Sequence, residues 1–204
     1  MSKPVLHLAS ASPRRRDLLA ELGLSFTCGG ADIDESAVAG ESVREMALRL
    51  AIAKSRSVSD SGDYAMPVLG ADTIVVLDDR VFGKPDSRED ALRMLSCLSG
   101  RTHKVVTGVA LVTHSGLETA ISSTEVQFRE IEPDEAEAYW QSGEPAGKAG
   151  SYAVQGLGGI FVRSIHGSYS GVVGLPVYET AGLLRRAGIA LPVLHRLGLQ
   201  TDYG

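Results

Sequence analysis

The run from Gly70 to Pro85, Gly-Ala-Asp-Thr-Ile-Val-Val-Leu-Asp-Asp-Arg-Val-Phe-Gly-Lys-Pro, restricts the fold more tightly than any other stretch of this chain. Ile74 to Leu77 is a short, mostly β-branched segment and Leu77-Asp78-Asp79-Arg80 is turn-like; Val81-Phe82 then resumes the apolar pattern, which predicts a β-hairpin. With Asp78-Asp79 as a two-residue loop, Val76 faces Val81, Val75 faces Phe82 and Thr73 faces Lys84. That register sets Asp72 beside Lys84 at the open end, and Pro85 halts pairing just past the lysine. A rigid mount for a carboxylate and an ammonium is one reading; a solvent-exposed ion pair at a strand end is the other.

Upstream, Pro4 to Ala9 is a short apolar strand that runs directly into a helix. Ser12 suits the N-cap, Pro13 the first helical position and Gly23 the stop, while Leu18, Leu19 and Leu22 give the helix one apolar face. Arg14, Arg15 and Arg16 then fall in the first turn, where the dipole and exposed N–H groups favour anions over cations. A bound polyphosphate would relieve that conflict, because it would meet a helix N-terminus and guanidiniums that grip oxygens in pairs. Arginines splayed into solvent are the alternative.

Leu24 to Cys28 forms a second strand candidate, followed by an acidic loop, Ala31 to Ser36, whose Asp32, Asp34 and Glu35 are hard oxygen donors of the kind that hold Mg2+ or Mn2+ against a phosphate. From Ser42 to about Ser57 the apolar spacing is helical, with Ser42 and Glu45 as a capping box. Lys54 lies near the end of that helix, where a cation also suits the dipole, and Ser55 to Asp63 reads as a polar surface loop. Beyond the hairpin, the pattern predicts a helix over Ser87 to Leu98, strands over Thr102 to Val112 and Glu118 to Phe128, and a short helix over Pro133 to Ser142. Glycines crowd the next segment, Gly143 to Gly159, and permit close backbone approach to a ligand, with Lys148 and Gln155 offering a charge and a two-way amide. It is not a Walker loop, since Ala149 stands where Ser or Thr is required. A strand over Ile160 to Ile165, a loop over His166 to Gly171, a helix over Leu175 to Arg186 and a tail from Ala187 to Gly204 complete the chain. Strand–helix units first and an antiparallel pair later predict an α/β protein with a mixed sheet.

Composition bounds the function. With 204 residues and 44% hydrophobic content, one domain over residues 1–204 is expected, its last stretch, about 187–204, a tail. A net charge of -5 argues against coating a nucleic acid polymer. No apolar run approaches the roughly 18 residues that span a bilayer, so no membrane partner is expected. Two cysteines, Cys28 and Cys97, are too few for a disulfide framework, and a reducing, cytoplasmic setting is the expectation.

Six segments converge on one family: Ser10-Ala-Ser-Pro-Arg-Arg15, Gly70-Ala-Asp-Thr73, Gly83-Lys-Pro85, Gly147-Lys-Ala-Gly-Ser-Tyr152, Gln155-Gly-Leu-Gly-Gly159 and Gly167-Ser-Tyr-Ser-Gly-Val-Val-Gly-Leu-Pro176. In order and spacing they resemble the Maf (septum-formation inhibitor-like) nucleotide pyrophosphatases over about residues 4 to 186, with Ala11 standing where the family more often has glycine. The resemblance implies a mixed, largely antiparallel-containing sheet flanked by helices with a central cleft. Gln155 to Gly159 looks like the branch acting on dTTP and UTP, with CTP or modified pyrimidine nucleotides as further candidates. The implied reaction attacks the α-phosphorus with water and gives a monophosphate and pyrophosphate. By family precedent Asp72 accepts the proton of water, Lys84 and Lys54 hold phosphate oxygens, Ser10 and Arg14 clamp the triphosphate, and Glu35 with Asp72 binds the divalent metal. Arg15, Thr73 and Gln155 match positions associated with substrate choice, and a homodimer is the family-level expectation. An aspartate beside a lysine is a weak base, so Asp72 would orient water more than deprotonate it. The competing reading is a nucleotide-binding regulator of cell division that needs no turnover; pyrophosphate release separates the two.

Overall fold

The computed structural model describes residues 3–60 and 66–196. Its strands are β1 (Leu6–Ala9), β2 (Phe26–Gly29), β3 (Val68–Leu77), β4 (Arg80–Phe82), β5 (Thr102–Thr113), β6 (Gly116–Phe128) and β7 (Val162–His166). The helices are α1 (Pro13–Glu21), α2 (Val43–Ser59), α3 (Arg88–Leu98), α4 (Pro133–Gln141), α5 (Tyr169–Val173), α6 (Val177–Arg186) and α7 (Pro192–Arg196). The strands form one seven-stranded mixed sheet in the order β2-β1-β3-β5-β6-β7, with β4 paired to β3. Pairing of β1 with β2 and with β3 is parallel, whereas β3 with β4 and β6 with β7 are antiparallel.

Local chemistry explains the starts and stops. Asp78 and Asp79 both adopt left-handed φ, 48° and 62°, as a twist-compatible two-residue hairpin turn requires. The ladder then follows the predicted register, Val76 to Val81 and Val75 to Phe82. Ser12, Ser42 and Ser87 cap α1, α2 and α3 by accepting from the backbone N–H three residues on.

Several boundaries differ from the sequence reading, and three of them have an identifiable local cause. Of the polar stretch expected to be a loop from Ser55, residues through Ser59 are helical, because Lys54 and Ser55 are on the buried side of α2 and packing overrides their polarity; residues 61–65 lie outside the described set. The strand expected from Ile160 begins at Val162, since Leu157–Phe161 winds as a 3-10 turn. Within the expected loop, Tyr169–Val173 forms a helical turn, held by Ser168, whose carbonyl accepts from Val172 and whose hydroxyl accepts from Gly171.

Contacts divide the chain into two compact units. The first comprises Met1–Asp72, Thr107–Ser122 and Gly174–Gly204; the second comprises Thr73–Val106 and Ser123–Val173. In the first, Leu6, Leu8, Leu19, Leu69, Leu111, Leu175, Leu183 and Leu184 make a leucine-rich core. Ile189, Leu191, Val193 and Leu194 pack on it, so this part of the expected tail is core-covering; residues 197–204 lie outside the described set. The second unit has an aromatic core in which Phe128, Tyr139, Tyr152 and Phe161 pack with Met94, Leu95 and Leu98. Among the described residues no helix is long and apolar enough to cross a membrane.

Candidate active site

In the first unit, α2 lies against a strand position that has no side chain. A Cβ added at Gly70 would collide with the Ala51 carbonyl oxygen and stand 2.8 Å from the Ser55 backbone nitrogen. Gly70 and Asp72 share one face of β3, because strand side chains two apart point the same way. The face that receives α2 is therefore the face from which Asp72 projects. The buried stripe of α2, Ala47, Leu50, Ala51, Lys54 and Ser55, includes an ammonium, and it reaches that carboxylate.

Lys54 Nζ donates to Asp72 Oδ1 at 2.6 Å and meets Glu35 Oε1 at 2.6 Å. The Lys54 and Asp72 side chains are each only 10% exposed, and Glu35 reaches in from the acidic loop with 45% of its side chain still exposed. Withdrawing charges from water is costly unless they are paired. Here one ammonium serves two carboxylates, which leaves the trio with surplus negative charge.

Positive charge stands close by on α1. Ser10, buried just past the end of β1, accepts hydrogen bonds from the Ser12 N–H at 3.2 Å and from Arg15 Nη1 at 3.4 Å. Arg15 Nε also donates to the Gly174 carbonyl at 2.8 Å, which fixes the guanidinium plane. Burial lowers the Arg15 pKa, Asp72 pulls it back up, Arg14 pushes it down and Glu35 raises it, so these charges act on one another. Arg16 faces solvent beside Asp17 at 3.6 Å. The three-arginine turn thus splits, with Arg14 and Arg15 half-buried and Arg16 outward. The structure brings Ser10, Arg15, Glu35, Lys54 and Asp72 into one network of the first unit, with Arg14 coupled to it through Arg15.

Thr73, Lys84 and Gln155 belong to the second unit. Thr73 is half-buried in β3, Lys84 is exposed two residues past β4, and Gln155 is exposed in the glycine-rich loop. The β3–β4 ladder ends at Val75 and Phe82, and Asp72 also receives an ammonium from α2, that of Lys54. A hairpin register counts residues along two strands and carries no information about a helix laid across them, so the Lys54 contact lay outside its reach.

The glycine-rich loop also differs from its reading. Lys148 Nζ donates to the carbonyls of Glu144 at 2.7 Å and Ala146 at 3.3 Å, so this ammonium braces its own loop. Glu144 accepts from the Tyr139 hydroxyl at 2.7 Å and from the N–H groups of Leu157 and Gly158 at 3.0 and 2.9 Å. At Gly156 a Cβ would run into that carboxylate. The glycine there makes room for Glu144. Sequence reading passed over Glu144, and also over Glu41 and Arg49, which lie eight residues apart across a helix start and follow no helical pairing rule; the only sign was an acidic residue next to Pro145.

Among the described residues no three His, Cys, Asp or Glu side chains gather as an ion cage. Two carboxylates drawn to one ammonium still present hard oxygens at close quarters. That donor set fits Mg2+ or Mn2+, which are commonly held by one or two carboxylates with phosphate oxygens and water completing the shell.

A family model described as Maf-like protein matches residues 5–187. The dTTP/UTP pyrophosphatase of Colwellia psychrerythraea is 49% identical over 187 residues, covering 90% of this chain and 88% of that protein. The dTTP/UTP pyrophosphatase of Bordetella avium is 50% identical over 197 residues, covering 93% of this chain and 98% of its own. Among solved structures, the Staphylococcus aureus Ham1 protein aligns with a TM-score of 0.44 at 13% identity, covering 60% of this chain and 71% of that one.

Proposed function

We propose, from the premise that this chain belongs to the Maf-like protein family, that its charged cluster hydrolyses dTTP and UTP to the nucleoside monophosphate and pyrophosphate. The observation that carries the reading is the shared ammonium: Glu35 and Asp72 both lie 2.6 Å from Lys54 Nζ. Asp72, at 7% exposure, chiefly orients the attacking water and accepts its proton only as attack on phosphorus proceeds. Lys54, on arrival of a triphosphate, exchanges part of its carboxylate contact for phosphate oxygens, and Lys84 holds phosphate oxygens as well. Ser10 and Arg14 grip the phosphate chain at the start of α1, where backbone N–H groups already favour an anion. Arg15, Thr73 and Gln155 set the choice among bases. Glu35 and Asp72 would hold a divalent cation such as Mg2+ or Mn2+, which when bound supplies neutralisation of phosphate charge. Hydrolysis of this kind depends on charge neutralisation and on the alignment of water, and the cluster has groups suited to both.

The test is pyrophosphate release from a panel of common and modified triphosphates, with each divalent cation in turn. Release from dTTP and UTP well above that from purine triphosphates is expected. Tight UTP binding without release, unchanged by Asp72→Asn, would leave a binding protein instead.

A further inference from the structure

Glu35 has a difficult position. It reaches Lys54 from a stretch with no regular secondary structure, and its side chain is 45% exposed. The segment is nonetheless tied down one residue later. Arg49 Nη2 donates to the Ser36 carbonyl at 3.0 Å. The same guanidinium grips Glu41 through two parallel bonds, Nε to Oε2 at 2.8 Å and Nη2 to Oε1 at 2.6 Å. Glu41 in turn accepts from the Val38 N–H at 2.8 Å, and its own N–H donates to the Val38 carbonyl at 3.2 Å. Besides the Ser36 N–H, which donates to Asp34 Oδ1 at 2.9 Å, the links at Ser36 and Glu41 lead to one side chain on α2. Arg49 lies five residues before Lys54, roughly 7.5 Å along the helix axis, so one rigid element carries both the clasp and the ammonium.

We propose that Arg49, through Glu41 and the Ser36 carbonyl, is the positioning residue that holds the Glu35 carboxylate where it meets a divalent cation, and so sets the protein's affinity for that ion. Free backbone in such a loop would have to be ordered on binding, at a conformational cost that the clasp removes in advance. Electrostatics supports the assignment. The Arg49 pairing holds the Glu41 carboxyl at about 2, and the Arg49 pKa is raised by Glu41 and by the fields of Asp34 and Asp72. Paired in this way, Arg49 contributes to the field at the site without competing for its ligands.

This inference rests on the reading that Glu35 holds the metal, and the test separates the two. Binding of Mn2+ alone to the full chain is measured by electron paramagnetic resonance for the parent, Glu35→Gln, Arg49→Ala, Arg49→Lys, Glu41→Gln and the Glu35→Gln/Arg49→Ala double variant, with thermal midpoints to verify folding. Loss of an outer partner of a metal ligand commonly weakens binding about tenfold or more, and that loss is expected for Arg49→Ala. Arg49→Lys should lose nearly as much, because an ammonium cannot reproduce the two-pronged grip, and Glu41→Gln should lose less. The double variant should bind no more weakly than Glu35→Gln, since both changes remove one interaction. A loss in Glu35→Gln with none in Arg49→Ala, Arg49→Lys or Glu41→Gln overturns the positioning role alone, as do losses that multiply in the double variant. Unchanged Mn2+ affinity in Glu35→Gln overturns the metal reading and the positioning role with it. If Arg49→Ala does not fold, Arg49→Lys and Glu41→Gln decide the question by the same criteria.

Discussion

Asp72 in the first unit is buried and Glu144 in the second is half-buried, and the two are stabilised by opposite means. Glu144 receives three neutral donors, the Tyr139 hydroxyl from α4 and two backbone N–H groups of the glycine-rich loop. Asp72 accepts from a lysine that it shares with a second carboxylate. Neutral, preformed donors close a site, because a ligand would have to displace bonds the fold depends on. A shared ammonium leaves one open, because its partners can be redistributed when new charge arrives. On the proposed function, the difference separates a structural carboxylate from a chemical one, although sequence alone shows both as single acids in glycine-containing segments.

The sharpest way to break this comparison is Asp72→Asn, which keeps shape and removes charge. Loss of a general base commonly costs 10²–10⁴-fold, and we expect pyrophosphate release from UTP to fall about a thousandfold with triphosphate still bound. A loss below tenfold would return Asp72 to the structural class. Gly70→Ala comes next. The added methyl pushes against Ala51 and Ser55, and such overpacking costs about 1–3 kcal/mol of stability. Because α2 also carries Lys54, turnover should fall about tenfold along with the urea midpoint. A stability loss with turnover intact would show that the Lys54–Asp72 pair tolerates displacement of the helix.

Much of this was legible beforehand, for identifiable reasons. The hairpin register followed from the Asp78-Asp79 turn, and the helix starts followed from Ser12, Ser42 and Ser87, since turns and caps are chemistry between near neighbours. The first-turn arginines stood out by breaking the dipole preference, and two of them, Arg14 and Arg15, are half-buried. What sequence did not reveal is long-range. Lys54 reads as a helix-terminal cation until α2 is laid on Gly70, and Lys148 reads as a ligand group until its loop closes on it. Ser55 and Ser57 look like loop residues because their polarity hides two local bonds, to the Ile52 and Lys54 carbonyls, that let them stay helical.

Glu144→Gln sharpens the comparison from the other side. An amide keeps one acceptor oxygen, but its NH2 faces the donor that the second carboxylate oxygen had accepted, at a cost of about 1–3 kcal/mol. Stability should drop by that amount while the rate with saturating UTP changes only a few-fold. A loss rivalling Asp72→Asn would place Glu144 among the chemical residues and collapse the distinction.

The smallest effect on turnover belongs to the second unit, where the expected change is a pH dependence of stability. His103 is 1% exposed, bonded through Nε2 to the Tyr152 hydroxyl at 2.8 Å and set edge-on to Phe128 and Tyr152. Burial in this aromatic surrounding lowers its pKa from 6.5 to about 4. An unfolded chain takes up the proton near 6.5 and the folded one only near 4, so between these values the unfolded state binds more protons. Stability is therefore complete above pH 6.5 and declines as pH falls, by about 1.4 kcal/mol per unit and about 3 kcal/mol over the window. Urea unfolding of the parent and of His103→Gln from pH 7 to 4 isolates this contribution, because every other titrating group is common to both. The parent's advantage should shrink steadily across the window. Parallel profiles would mean that the imidazole can be protonated inside the core, and the second unit would then hold a titrating charge where the comparison requires a neutral, closed network.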